Sequence, residues 1–104
     1  MRFMSGIDCI VALKALGELN RLRIVRLLLK DKLGVNQISE RLGMSQYNAS
    51  KHLRILKEAG LVEMEKKGQQ RLYAVVAGLK NQLAANKNVL ELGCCTFRFD
   101  KLPK

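Results

Sequence analysis

The stretch VNQISERLGMSQYNASKHLRILKEAG, residues 35–60, decides the fold. Ile38 and Leu42 stand four apart, so residues 35–43 read as a short helix with one apolar edge. Gly43 closes that helix, and Ser45 is placed to cap the next, over 46–60. There Ala49, Leu53 and Leu56 fall at i, i+4 and i+7 and form an apolar stripe, with Gly60 as a C-cap. Gln46, Tyr47, Asn48, Ser50, Lys51 and Arg54 occupy the remaining surface, which is polar and short of acids. A short helix, a glycine-containing turn and a second helix anchored by one face make a helix-turn-helix pattern.

That pattern carries a chemical demand. The second helix must expose side chains that hydrogen-bond base edges, and its first turns are the part that enters a major groove. Gln46, Tyr47, Asn48, Ser50 and Lys51 lie there, while Ser45 and the helix start suit a phosphate oxygen. His52 has two open readings, a phosphate contact or a packed, hydrogen-bonded residue beside Leu53. The competing reading of this helix is the solvated face of a bundle.

Downstream, LVEMEKKGQQRLYAVV (61–76) holds two β-capable runs, 61–66 and 70–76, around a lysine–glycine turn. Alternation puts Val62 and Met64 on one side of the first run, and Leu72 and Ala74 on one side of the second. The hairpin reads as a wing with a basic tip, where Lys66, Lys67, Gln70 and Arg71 can touch phosphates or a minor groove. Residues 78–92 read as a last helix with Leu79, Leu83 and Leu90 on one stripe, stopped by Gly93. Residues 93–104 are an extended tail of the single domain, 1–104.

Upstream, GIDCIVALKALGEL (6–19) is capped by Asp8, and Ile7, Ile10, Val11, Leu13 and Leu16 cover more than one face. A short helix that is apolar nearly all round must pack on its own core and on something else. Asn20 reads as the cap of a second helix, 21–32, with Ile24, Val25, Leu28 and Leu29 inside and Gly34 at its end. The expected fold is mainly α with a small β-hairpin.

Bulk composition narrows the partners. Nineteen lysines and arginines face nine acids, a formal charge of +10 on 104 residues, which calls for a polyanion. No apolar run is long enough to span a bilayer, and MRFMSGIDC lacks the apolar region of a signal peptide, so a cytoplasmic location with no membrane partner is expected. Three cysteines make no disulfide framework; in a reducing compartment they read as buried residues, ligands or redox thiols. No paired carboxylates, phosphate-cradling glycine loop or cysteine–histidine pair supports an enzyme.

ALGELNRLRIVRLLL (15–29), ISERLGMSQYNASKHLRILKEAGLV (38–62) and KKGQQRLYAV (66–75) resemble the ArsR/SmtB family of bacterial metal- and stress-responsive repressors. The resemblance covers roughly residues 10–90 and implies a winged helix-turn-helix homodimer joined through its first and last helices. It implies binding to a double-stranded DNA operator until an inducer arrives, and it places Ser45, Gln46, Ser50, Lys51 and His52 on the recognition helix. Two family features are missing. Residues 36–44 carry no cysteine box, and residues 79–92 carry no histidine and one acid, Glu91, so neither metal site carries over.

The remaining place for an inducer is Cys94 and Cys95 with Cys9 as a third thiol. Neighbouring side chains diverge in regular backbone, and Gly93 supplies the irregularity that would let two face one centre. Soft thiolates suit trivalent arsenic or antimony, with no cofactor otherwise required. The same thiols suit a redox or reactive-sulfur sensor, with Arg98 or Lys101 near to lower a pKa. Simple packing, or a constitutive DNA binder with no inducer, are the plain alternatives.

Overall fold

In the computed structural model, which describes residues 8–101, helix starts follow the local capping chemistry of the chain. Asp8 Oδ1 accepts from the backbone N–H of Ile10 at 2.8 Å and of Val11 at 3.1 Å, and opens α1 (Cys9–Leu16). The second helix begins earlier than the sequence suggests. Glu18 takes the cap of α2 (Leu19–Leu28), accepting from Arg21 N at 3.1 Å, and Asn20 lies inside the helix. Gly34 does not end that helix; Leu29 does, and Gly34 instead opens α3 (Val35–Leu42).

Gly43 leaves α3 in the left-handed region, φ +67°, and Ser45 Oγ then accepts from Asn48 N at 3.1 Å to start α4 (Gln46–Glu58). The two helices of the predicted pair are thus separated by three residues; Ile38, Ala49, Leu53 and Leu56 have no exposed surface, while Leu42, the second apolar residue of the α3 edge, is half-buried.

The wing is β1 (Val62–Lys67) antiparallel to β2 (Gln70–Val75), with Val62 opposite Val75 and Lys67 opposite Gln70. This register keeps Leu72 and Ala74 on one face, as their alternation suggests, and decides which face of β1 they meet. Val62 and Met64 share a face with Val75 and Tyr73, whereas Leu72 and Ala74 oppose Glu65 and Glu63. The two-residue connection between Lys67 and Gln70 sets that pairing, and a one-residue slip would invert every side chain. Leu33 adds a partner on the other edge of β2: it exchanges backbone bonds with Tyr73, at 3.1 and 2.8 Å.

The largest departure from the sequence expectation is at the end. The last helix, α5 (Ala77–Ala85), stops seven residues short of Leu92, and residues 86–88 turn through left-handed φ values at Lys87 and Asn88. A second hairpin follows, β3 (Val89–Glu91) with β4 (Thr96–Arg98), and then one 3₁₀ turn, Phe99–Lys101. Burial explains it. Leu90, Leu92 and Phe99 all reach the same core as Leu79 and Leu83 of α5, so the segment after Gly93 folds back onto the body.

Among the described residues no helix is long and apolar enough to cross a membrane. Ile10 (52% exposed), Val11 (44%) and Leu19 (48%) leave an apolar strip outside the core along α1 and the start of α2. Ile7, expected on the same strip, lies outside the described residues.

Candidate nucleic-acid interface and thiol site

Helix α4 divides sharply. Its buried stripe holds it on the body, while Gln46, Tyr47, Asn48, Ser50, Lys51 and Arg54 are all exposed, Tyr47 to 77%. Tyr47, Ser50, Lys51 and Arg54 line an open cleft of about 370 Å³ together with Lys57 and with Tyr73 from the wing. Lys57 and Tyr73 were not among the expected contacts. Lys57 continues the Ser50–Arg54 stripe by three residues, a signal present in the sequence. Tyr73 arrives only through the fold. The one acid on α4 is Glu58, in its last turn, so the cleft is cationic and able to hydrogen-bond base edges and phosphates.

The four wing residues split by register. Lys66 and Arg71 are paired on the face shared with Val62 and Val75, while Lys67 and Gln70 are paired on the opposite face. All four are exposed, and one DNA surface meets one pair more readily than both. Lower on the wing, Glu65 pairs with Lys32 at 3.0 Å, and that hydrogen bond holds its carboxyl below the usual glutamate range.

His52 is half-buried, and its Nδ1 stands 3.2 Å from Nη1 of Arg21. Burial, foremost, lowers its pKa from the usual value; Arg21 and Lys51 push the same way against Glu18.

The thiols gather at the far end of the chain. Cys94 lies in the β3–β4 turn, where Gly93 adopts φ +91°, and Glu91 clasps that turn by accepting from Gly93 N at 3.3 Å and Thr96 Oγ1 at 3.0 Å. The Cys94 sulfur is bonded to that of Cys9, with Cα atoms 6.2 Å apart and 85 residues between them in sequence. Cys95 keeps a free thiol, half-buried, its sulfur 3.9 Å from that of Cys94. Burial and the Glu91 carboxylate push the Cys95 thiol up, so it is a poor thiolate in this state. Arg98, expected to activate a thiol, is instead paired with Asp100 at 3.1 Å. The three cysteines therefore do converge, as two bonded sulfurs and a neighbour. Among the described residues no group of three histidine, cysteine or acidic side chains is arranged to hold a metal ion.

Known proteins match this geometry. Residues 19–64 match the family described as bacterial regulatory protein, arsR family. The transcriptional activator HlyU of Vibrio cholerae is 39% identical over 71 residues, 68% of this chain and 66% of that protein, just under two thirds of its length. The structure of HlyU from the same organism superposes with a TM-score of 0.66 at 33% identity, covering 83% of this chain and 91% of that one. A homodimeric winged helix-turn-helix DNA-binding domain from Mycobacterium bovis gives 0.69 at 28% identity, covering 81% and 87%. The transcriptional repressor BigR of Xylella fastidiosa gives 0.63 at 28%, covering 71% and 73%. The chain has a winged helix-turn-helix fold and belongs to the ArsR family of bacterial transcriptional regulators.

Proposed function

We propose that the protein is a homodimeric transcriptional repressor whose grip on its operator is set by the covalent state of Cys9 and Cys94. The observation that carries this reading is the bond between them, which ties the start of α1 to the second hairpin. Cys9 is followed directly by Ile10 and Val11, the exposed apolar residues of α1. A second copy packed on that strip would feel any change at Cys9, and a dimer interface sets the spacing of two reading heads. The Mycobacterium bovis relative is described as homodimeric, and BigR as a repressor, whereas HlyU is named an activator. A bound head that occludes a promoter needs nothing beyond the elements described, which favours repression.

Two thiols closing to a disulfide give up two protons and two electrons to an oxidant such as a peroxide, which leaves as water. The test is operator affinity for reduced and peroxide-treated protein, on a duplex selected by the reduced protein from a random pool. Oxidation should weaken binding by about fivefold or more. Cys9→Ser and Cys94→Ser should abolish the response, and Cys95→Ser should keep it. A Cys94→Ser protein that still responds overturns the reading.

A second reading, release by arsenite or antimonite, is favoured by the Cys95 sulfur 3.9 Å from Cys94. In the reduced protein three thiols could displace three hydroxides from trivalent arsenic as water. Here Cys95→Ser should lose the arsenite response while the peroxide response persists, which separates the two inducers.

A further inference from the structure

Arg21 of α2 sits where three helices meet. Its Nε donates to the Ala15 carbonyl and its Nη2 to the Lys14 carbonyl at 3.5 Å, both at the C-terminal end of α1. Carbonyls at a helix end have no partner within the helix, and a cation there is favoured by the helix dipole. The remaining arm, Nη1, points at His52 Nδ1 on the reading helix, 3.2 Å away. A guanidinium has donors and no acceptor, so this contact is a hydrogen bond only if Nδ1 is bare and the ring proton sits on Nε2. Neutral His52 thus closes a chain of bonds from α1 through α2 to α4.

We infer that Arg21 and His52 are positioning residues, a proton-sensitive clamp that holds the reading helix against the body, and that His52 governs operator binding without touching DNA. Protonating His52 removes the acceptor and sets two cations side by side. Glu18, the other charge of α2 near the ring, offsets this in part, and Lys51 on α4 adds to the repulsion. Arg21 must then swing away, releasing the α1 carbonyls, or the ring must rotate. The inference rests on α4 being the DNA-reading helix and is independent of the thiols.

Its sign separates it from the simple alternative. A histidine that contacts phosphate gains a charge in acid and strengthens DNA binding. The clamp requires binding to weaken. His52 is the only histidine in the chain, so few other side chains titrate in the window.

The experiment measures affinity of the reduced protein for the selected duplex at about pH 8 and about pH 5.5, at fixed ionic strength. Wild type should lose affinity on acidification, by less than about tenfold for a single proton. Asparagine places Oδ1 where the imidazole has Nδ1 but does not titrate, so the affinity of His52→Asn should not change between the two pH values. Arg21→Gln should bind weakly at both values while keeping its far-UV circular dichroism. Long-range ¹H–¹⁵N spectra of the free protein at about pH 8 should show the proton on Nε2. Wild-type affinity that rises or stays constant in acid, a His52→Asn protein that still weakens in acid, or a proton on Nδ1 overturns the clamp. The spectra decide even where an Arg21 variant fails to fold, and loss of duplex binding by wild type under all conditions would fault the reading of α4 instead.

Discussion

Cys94, in the turn of the second hairpin, is bonded to Cys9, the first residue of α1, across 85 residues of chain. The bond closes nearly the whole domain into a loop. It also holds the N-terminal helix to the last segment that completes the core, where Leu90, Leu92 and Phe99 are buried.

A cross-link over so long a loop restricts the unfolded chain far more than the folded one. Oxidised protein is therefore expected to exceed reduced protein in stability by about 2–5 kcal/mol. Urea unfolding of each form, and of Cys94→Ser, measures this. The serine variant should match reduced wild type under both conditions.

The cationic cleft on α4 predicts two separable phenotypes. Lys57→Ala should weaken binding to all duplexes alike and reduce the salt slope by about one, as expected for a phosphate contact. Gln46→Ala should cost about 1–3 kcal/mol on the selected duplex and relax sequence preference, as expected for a base contact. Salt titrations on selected and scrambled duplexes tell the two apart.

Gly43 turns the chain from α3 toward α4 at φ +67°, with nothing within 4 Å of where a Cβ would sit. The cost of a side chain there is one of backbone conformation alone. Gly43→Ala should destabilise by about 1–2 kcal/mol, and Gly43→Asn by less, since asparagine tolerates this region. Urea midpoints measure the difference.

His52 also predicts how stability depends on pH. Its folded pKa lies below the usual 6.5, so near that value the unfolded chain binds more protons than the folded one. The stabilising contribution is complete above the usual value and is lost as pH falls through it toward the folded pKa. His52→Asn should flatten this part of the profile, read from thermal midpoints between about pH 5 and pH 8.

Residues 35–62 were legible because their determinants are local. Ser45 caps α4 as its position suggests, Gly43 needs the left-handed region, and Leu53 and Leu56 repeat at the helical period. The second helix starts earlier than its local pattern suggests, since the Glu18 carboxylate reaches Arg21 N and outcompetes Asn20 as a cap. Residues 86–92 depart from their local pattern for another reason. Leu90 fits the stripe of a helix with Leu79 and Leu83, but Lys87 and Asn88 turn the chain and Leu90 reaches the core from β3. Leu33 carried no strand signal at all, because its pairing with Tyr73 depends on where β2 lies.

By itself the sequence determined the helix pair and its wing: a basic chain, a capped polar-faced helix on an apolar stripe, and a hairpin with cations at its tip. Those properties follow from composition, period and caps, all of which act within a few residues. Only the tertiary structure decided which groups meet. Of the three thiols, Cys9 and Cys94 are bonded while Cys95 stands beside them, and the His52 ring is held by Arg21, 31 residues earlier. Such pairings depend on how helices and hairpins pack, and no local pattern encodes a distance between residues so far apart in the chain.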